Sequence, residues 1–255
     1  VRVVTTDDKQ GPAAAKYLYQ VVGAKSVYII DDTETFGQGI ANNFEKEFLK
    51  QGGTVVRHDG APKTTTDYSA LMTAAKALNP ESIYFGGVTS TGGARILKAA
   101  VQAGLGDIPY VGSDGINDGS AASTDSFLNL AGDDAKNSYA TLAAIGDFPG
   151  KADFDAKYQA EYGTDPGSYS GTGFACAQIV LDALNRAAAT NPADMVALRE
   201  AVRAAVVDPS VKYTTALGEM SFDANGDTSQ LIISIYAYDA AAKDWAYKTQ
   251  IDYAQ

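Results

Sequence analysis

Three short apolar segments in the first half of the chain each lead into a small, polar, glycine-containing loop. They lie at residues 26–32, 82–90 and 108–115, and each loop is followed by a segment with helical periodicity. Strands that alternate with helices in this way predict a parallel sheet covered by helices on both faces. In an open sheet of this kind, the carboxyl ends of the strands line the ligand crevice. We therefore expect side chains from the three loops to converge on one site.

The alternation of helices and strands runs from Gly11 to Gly115. Pro12 suits the first turn of a helix, and a segment with apolar residues at helical spacing follows the first strand at residues 37–51. Gly104 is expected to end a later helix in the left-handed conformation. This half of the chain predicts a doubly wound α/β sheet that is complete in itself.

The second half of the chain has too few predicted strands to form a sheet that its predicted helices could cover. It predicts one strand at residues 138–145 and returns to strands only after residue 219. Between them lie three segments with helical periodicity, at residues 151–162, 169–187 and 193–205. The middle segment carries a helical stripe of apolar residues, which are Phe174, Ala177, Leu181 and Leu184. A stripe of this kind normally packs against a sheet or another helix.

Composition narrows the classes of partner. The chain has 255 residues, of which 45% are hydrophobic and 20% charged, as is usual for a globular protein with a sizeable core. It carries 20 Lys and Arg against 31 Asp and Glu, which gives a net charge of −11. This balance argues against nucleic acid as a partner, because phosphates bind to clusters of basic residues. We interpret the acidity as a source of solubility.

The patterns typical of enzymes and metal sites are not found in the sequence. His58 is the single histidine, and no G-x-S-x-G sequence accompanies it, which argues against a serine hydrolase. The glycine pairs at residues 86–87 and 92–93 match neither phosphate-binding motif. No His, Cys and carboxylate cluster has the spacing of metal ligands. The sequence therefore predicts no catalysis, no metal and no cofactor.

Two further features have ordinary structural interpretations. Cys176 is the single cysteine, and its apolar neighbours in a predicted helix indicate a buried, unreactive thiol. Residues 223–227 match the beginning of a calcium loop, but Thr228 stands where that loop needs glycine and Ser234 where it needs glutamate. We predict a hairpin turn there instead.

Asp114 has the most specific chemistry among the three loops. It follows Ser113 and lies between Gly112 and Gly115 at the end of a predicted strand. A carboxylate in this position can accept hydrogen bonds from a cationic ligand group such as an α-ammonium. An ordinary loop aspartate that accepts hydrogen bonds from its own backbone is an equal alternative.

The other candidate site residues follow the strands in the same way. Phe36 comes after the first strand and either lines a pocket or covers the core. Val88 and Thr89 come after the second strand, and Ser113 accompanies Asp114 after the third. If the loops converge, these residues would form the polar and apolar walls of one binding site.

Five segments together carry a resemblance to a known family. They are residues 2–17, 32–39, 84–87, 112–115 and 218–227. In combination they resemble the branched-chain amino acid (Leu/Ile/Val) binding proteins, which are type I periplasmic solute-binding proteins of ABC transporters. The resemblance extends over nearly the whole chain, although no single segment would be specific.

The resemblance implies two doubly wound, parallel-sheet α/β lobes joined by a hinge and closing on a ligand. Residues 7–118 would form the second, C-terminal lobe, completed by residues 236–255, and residues 138–230 would belong to the first lobe. The crossover segments would be residues 1–6, 119–137 and 231–235. The half of the first lobe that normally precedes Val1 is expected to be absent, so that the first lobe is incomplete.

The resemblance also implies a function. The chain would capture an amino acid or similar small zwitterion and deliver it to an ABC permease in the membrane. Its location would be periplasmic or extracellular, with a lipid anchor available at the absent N-terminus. The missing segment, or self-association, would cover the incomplete lobe. A ligand-sensing domain of a receptor or regulator with the same fold is the alternative.

Roles transfer by resemblance only where residues match. Asp114 stands where family members place an acidic residue against the ligand ammonium. Phe36 stands where an aromatic residue, often tyrosine, packs on the ligand. Val88 stands where an aromatic residue is common, which implies a different or roomier pocket. The groups that hold the ligand carboxylate would belong to the absent segment.

Overall fold

The computed structural model describes residues 1–253, and these form two compact units. The large unit comprises Thr6–Ala143 and Ile233–Ile251. The small unit comprises Val1–Thr5, Ala144–Ile232 and the described residues from Asp252 onward. Each unit has its own hydrophobic core.

The strands and helices follow in a regular order along the large unit and return to it at the end. The strands are β1 (Ser26–Asp31), β2 (Thr54–Gly60), β3 (Ile83–Gly86), β4 (Tyr110–Gly112), β5 (Ser138–Leu142), β6 (Tyr213–Thr215), β7 (Gly218–Met220), β8 (Ile232–Asp239) and β9 (Asp244–Asp252). The helices are α1 (Asp7–Tyr17), α2 (Thr35–Lys50), α3 (Ser69–Ala77), α4 (Gly93–Gln102), α5 (Phe127–Ala131), α6 (Lys151–Tyr162), α7 (Ser170–Ala188) and α8 (Met195–Val206).

One mixed sheet organises the large unit. Its strand order is β2-β1-β3-β4-β5-β8-β9, with β1 to β5 parallel and β8 antiparallel to β5. The register places Asp31 opposite Gly86, Phe85 opposite Gly112 and Gly112 opposite Ala140. The carboxyl ends of β1, β3, β4 and β5 therefore meet at one edge of the sheet. This arrangement confirms the predicted parallel α/β sheet.

The central strands are short and apolar because both of their faces are covered. Every residue of β3 and β4 is buried. Side chains alternate between two clusters: Tyr84 packs with α1 and α2, whereas Phe85 packs with α3, α4 and α5. Parallel sheets buried on both sides typically show such continuous apolar runs.

A stacked aromatic pair fastens α2 to the sheet. The rings of Phe44 and Tyr84 lie 3.7 Å apart between centroids with an interplanar angle of 12°, and Phe48 continues the stack at 5.5 Å from Phe44. All three side chains are fully buried. Offset stacking adds to the free energy that these large side chains gain from burial. The aromatic stack thereby holds the C-terminal half of α2 against β3.

Two helix details refine the sequence prediction. The structure starts α1 at Asp7, so Pro12 lies inside the helix and not in its first turn. Asp7 and Asp8 occupy the first turn, where carboxylates are favoured by the positive end of the helix dipole. Gly104 follows the end of α4 with φ +80°, which confirms the predicted left-handed glycine.

The boundaries between the units differ from the expected lobe boundaries. Residues 119–137 are not a simple crossover, because they contain α5, whose Phe127 and Leu128 are buried in the large unit. The sequence predicts a short helical piece around Ser126–Leu130 in this segment, and α5 (Phe127–Ala131) confirms it. The strand β5 pairs in parallel with β4, so residues 138–143 belong to the large unit and not to the first lobe.

The end of the chain shows a similar difference. Residues 231–235 were expected to be a crossover, but β8 begins at Ile232 and the large unit resumes at Ile233. Within this segment, Ser234 pairs with Leu142 and Ile235 with Thr141 of β5. Residues 254–255 of the expected C-terminal completion lie outside the described residues.

The small unit consists mainly of helices. The predicted helices at 151–162, 169–187 and 193–205 correspond to α6, α7 and α8, and the accompanying sheet has only β6 and β7, of three residues each. Its core is formed by one face of α7, which contributes Ala175, Ile179 and Ala183, together with side chains of α8 and of residues 213–222. The stripe that includes Phe174 and Leu181 is exposed instead of packed.

Other predictions for the small unit have mixed outcomes. Cys176 is exposed, so the prediction of a buried thiol was wrong. The hairpin turn at 223–227 is confirmed: Asp223 Oδ1 accepts hydrogen bonds from the backbone N–H groups of Asn225 at 2.8 Å and Asp227 at 2.9 Å. Within residues 1–253 no helix is long and apolar enough to span a bilayer.

We predict that Phe44→Ala lowers the free energy of unfolding by about 3–5 kcal/mol, because it leaves a cavity in the aromatic stack. The matched control is Leu49→Ala on the same helix, where the side chain is 50% exposed, and it should cost no more than about 0.5 kcal/mol. Denaturant unfolding followed by circular dichroism measures both changes. Equal losses for the two variants would contradict the packing described here.

Candidate ligand-binding site

The loops that follow β1, β3 and β4 lie against one another at the carboxyl edge of the sheet. The backbone N–H of Asp32 donates to the carbonyl of Gly86 at 3.0 Å, which joins the first two loops. The hydroxyl of Thr89 donates to the carbonyl of Gly115 at 3.3 Å, which joins the second and third. The predicted convergence of the three loops is therefore confirmed.

Close backbone approach explains two of the glycines in these loops. A Cβ on Gly37 would collide with the carboxylate of Asp32 and the carbonyl of Gly86. A Cβ on Gly115 would collide with the carbonyl of Gly87 and with Val88. Glycine is the one residue type that permits such contacts.

Asp32 fixes the first two loops to each other. It is 2% exposed, and its carboxylate accepts hydrogen bonds from the backbone of Glu34 at 3.0 Å and from the hydroxyl of Thr91 at 2.7 Å. A buried carboxylate with such partners is well satisfied. Asp32 therefore holds the loops together, and its charge is not presented at the surface of the site.

Asp114 is held by a residue that sequence reasoning missed. The side-chain amide of Gln10 donates to Oδ1 of Asp114 at 2.8 Å and to Oγ1 of Thr141 at 3.0 Å. Gln10 and Thr141 are each 1% exposed, whereas Asp114 remains partly exposed. The buried amide of Gln10 thus orients the carboxylate of Asp114 from the protein interior. Asp114 itself stays partly exposed at the carboxyl ends of the strands.

The signal that could have identified Gln10 was its position on a buried helix face. It lies next to Gly11 and one turn before Ala14, both of which are buried in α1. A polar side chain on such a face needs a hydrogen-bond partner. Its partners lie 104 and 131 positions away along the chain, so helical spacing alone could not name them.

The remaining candidates divide into buried and accessible residues. Ser113 is fully buried, accepts from the N–H of Gly115 at 3.2 Å and donates to the carbonyl of Gly87 at 3.4 Å. Thr89, at 8% exposure, makes its hydrogen bond within the loops as well. Phe36 and Val88 are partly exposed. The latter two suit an apolar wall, whereas Ser113 and Thr89 stabilise the loops.

Tyr84 places a neutral hydroxyl beneath the site. Its side chain is fully buried, and its hydroxyl has no hydrogen-bond partner among the described residues. Burial raises the pKa of Tyr84 far above its ordinary value, and the negative charges of Asp114 and Asp7 raise it further. The phenol therefore stays protonated at neutral pH, and its unpaired hydroxyl destabilises the fold.

His58 is placed where it cannot act as a general base. Its Nδ1 lies 2.6 Å from Oε2 of Glu45, and its Nε2 lies 3.1 Å from Oδ2 of Asp31. Both ring nitrogens thus face carboxylates, which leaves neither nitrogen to take a proton from a nucleophile. Among residues 1–253, no group of three or more His, Cys, Asp and Glu side chains is arranged to hold a metal ion.

Comparison with known proteins decides the family. A sequence model of the periplasmic binding proteins matches residues 1–243. The chain belongs to this family. The matched proteins are binding proteins and not enzymes, in agreement with the prediction that the chain catalyses no reaction.

Individual relatives support the same assignment. An amino acid binding protein of Pseudomonas aeruginosa is 29% identical over 247 residues, which are 95% of this chain and 61% of that protein. The crystal structure of the leucine binding protein LivK from Thermotoga maritima has a TM-score of 0.80 at 23% identity, over 99% of this chain and 67% of that one. A solute binding protein from R. palustris, in complex with benzoate, has a TM-score of 0.74 at 16% identity, over 99% and 66%.

These comparisons confirm the resemblance to the branched-chain amino acid binding proteins and the type I periplasmic binding fold. They also show that the chain spans less than two thirds of the length of its curated relative. The fold is therefore incomplete in these 255 residues, as the resemblance implied.

We predict that Tyr84→Phe leaves stability unchanged or raises the free energy of unfolding by about 1 kcal/mol, because it removes a buried hydroxyl without a partner. Tyr110→Phe is the matched control: Tyr110 is also buried, but its hydroxyl donates to the carbonyl of Gly93 at 2.9 Å. That variant should lose about 1–3 kcal/mol. Denaturant unfolding distinguishes them, and a larger loss at Tyr84 than at Tyr110 would refute the assignment.

Proposed function

We propose that this chain is the ligand-binding part of an extracytoplasmic solute-binding protein that captures an amino acid or similar small zwitterion. The observation that carries the proposal is the pair of Gln10 and Asp114 at the carboxyl edge of the large unit. A buried amide fixes a carboxylate that stays accessible, at the edge where open α/β sheets bind ligands.

The charge of Asp114 selects the class of ligand. The carboxylate of Asp114 accepts a hydrogen bond from the neutral amide of Gln10 and can accept charge-assisted hydrogen bonds from a ligand ammonium group. The same charge repels the carboxylate of a purely anionic ligand. Among the ligands named for the relatives, an amino acid such as leucine therefore suits this edge better than benzoate does.

Phe36 and Val88 supply the apolar part of the recognition. Phe36 lies in the first turn of α2, and Val88 lies where the second loop meets Gly115. Aliphatic side chains gain free energy by leaving water against such a wall. A ligand with an ammonium group and an apolar side chain would satisfy both features at once.

The proposed role also includes delivery of the bound ligand to a membrane transporter. The protein would work in the periplasm or at the outer surface, where a lipid anchor in the complete chain would keep it near the membrane. It would pass its ligand to the permease of an ABC transporter. Ligand binding would favour a closed state if that state binds the ligand more tightly.

We predict that Asp114→Asn weakens amino acid binding by about 1.5–3 kcal/mol, the value of a hydrogen bond to a charged group. Asp107→Asn is the matched control, since Asp107 precedes β4 at the opposite edge of the sheet and pairs with Lys136. Isothermal titration calorimetry of branched-chain amino acids against the complete chain measures both affinities. An unchanged affinity in Asp114→Asn would refute the ammonium contact.

We predict that Gln10→Met weakens binding by about 0.5–1.5 kcal/mol, because the residue keeps its size but no longer donates to Asp114. The loss should shrink when Asp114 is already asparagine, because coupled residues are not additive. Gln102→Met at the exposed end of α4 serves as the control. Equal effects of Gln10→Met in both backgrounds would show that Gln10 supports only the fold.

A further inference from the structure

His58 joins three elements near the carboxyl edge of the sheet in the large unit. It lies on β2 with 18% of its side chain exposed. Its Nε2 lies 3.1 Å from Oδ2 of Asp31, the last residue of β1, and its Nδ1 lies 2.6 Å from Oε2 of Glu45 on α2. A neutral imidazole donates from one nitrogen, whereas the imidazolium donates from both. Both carboxylates are therefore hydrogen-bonded when both ring nitrogens of His58 carry protons, and we call this arrangement the His58 bridge.

Asp31 connects the His58 bridge to the loop that precedes α2. Its carboxylate is buried, with Oδ2 facing His58 and Oδ1 accepting a hydrogen bond from the backbone N–H of Thr33 at 2.7 Å. Thr33 has φ +63°, a left-handed conformation that is unusual for a β-branched residue. Such a conformation persists only where the surrounding contacts fix it. The shape of this loop therefore depends on the orientation of the Asp31 carboxylate.

Phe36 lies between the two residues that His58 contacts. It belongs to the first turn of α2, three positions after Thr33, and Glu45 lies further along the same helix. Glu34, the N-cap residue, makes no capping hydrogen bond with its side chain, so hydrogen bonds within the loop set the start of the helix. The His58 bridge thus anchors the segment that carries Phe36 on both sides of it.

Arg57 and Asp59 flank His58 on β2 and form a separate ion pair at 2.7 Å. Asp59 also accepts a hydrogen bond from the hydroxyl of Tyr28 on β1. The side chain of Arg57 is 51% exposed, and its partner lies on the same strand, so loss of its charge does not separate β1, β2 and α2. Arg57 therefore provides a matched control for His58.

We propose that His58 is a positioning residue for the apolar wall of the site, because it sets the place of Phe36 through Asp31 and Glu45. The inference rests on the proposed function, in which Phe36 contacts the apolar side chain of an amino acid. A wall that is in place before the ligand arrives loses less conformational freedom on binding. In this role His58 acts on selectivity among ligand side chains, and it does not act on the ammonium contact of Asp114.

Nitrogen-15 NMR of the complete chain at pH 6 tests the His58 bridge without a ligand. An ordinary histidine is mostly protonated at this pH. We expect two ring N–H signals that exchange slowly with water, because hydrogen bonds to Asp31 and Glu45 protect both protons. The signals are assigned to His58 by their loss in His58→Gln. One slowly exchanging signal, or none, would overturn the bridge and the inference with it.

Selectivity between leucine and alanine tests the positioning role. The two amino acids share the ammonium and carboxylate groups, and leucine has the larger apolar side chain to set against Phe36. His58→Gln offers one donor nitrogen in place of two, so calorimetry on the complete chain should show the leucine-to-alanine affinity ratio lowered at least about threefold. Arg57→Gln should leave the ratio unchanged. In a Phe36→Ala background the effect of His58→Gln on the ratio should vanish, because His58 acts through Phe36.

Glu45→Ala is the second variant, and thermal melting establishes that each variant is folded at the titration temperature. It removes the carboxylate on α2, whose side chain is 30% exposed, and should lower the ratio in the same direction. An unchanged ratio in either folded variant, or an equal fall with and without Phe36, would overturn the inference, while leucine binding by the parent chain would still support the proposed function. A parent chain that binds neither amino acid would refute the proposed function, and the inference would fall with it.

Discussion

Parallel hydrogen bonding between β1, β3, β4 and β5 is the constraint on which the large unit depends. The register that sets Asp31 opposite Gly86 and Phe85 opposite Gly112 aligns the carboxyl ends of these strands. Because the strands end together, the loops that follow them must pack in one layer. Where two of these loops come into close backbone contact, as at Gly37 and Gly115, the position is occupied by glycine. The candidate site is a consequence of this alignment. Parallel strands also require helices between them, which is why α2 and α4 begin at the same edge.

Polar residues at that edge fall into two groups with different physical roles. Asp32, Ser113 and Thr89 are buried and make hydrogen bonds within the loops, so their polarity maintains the shape of the site. Asp114 is held from one side by Gln10 and stays partly exposed. A carboxylate that is oriented before the ligand arrives has less conformational entropy to lose on binding. This difference, rather than the number of polar residues, makes Asp114 the natural contact for an ammonium group.

The sequence predicted the elements better than their contacts. The strand–loop–helix alternation identified the sheet, and the helical stripes located α6, α7 and α8 within a few residues. Three features escaped it for physical reasons. Gln10 pairs with Asp114 across 104 positions, which no local pattern encodes. A short helix around residues 126–130 is predicted, but the burial of Phe127 against Tyr110 and Trp245, which ties α5 to the large unit, depends on contacts between separate elements that no local pattern encodes. In α7 the periodicity found an apolar stripe, but a helix that is apolar on two faces does not reveal which face the described chain covers.

The central claim is that the partly exposed carboxylate of Asp114 recognises a ligand ammonium group. A comparison of leucine with its deaminated analogue, 4-methylpentanoate, tests this claim most directly. The two compounds share the aliphatic side chain and the carboxylate, so only the ammonium group differs. The account predicts that calorimetry on the complete chain detects leucine binding and that the analogue binds at least about 10-fold more weakly, since each 1.4 kcal/mol is tenfold in affinity. Equal or tighter binding of 4-methylpentanoate would contradict it.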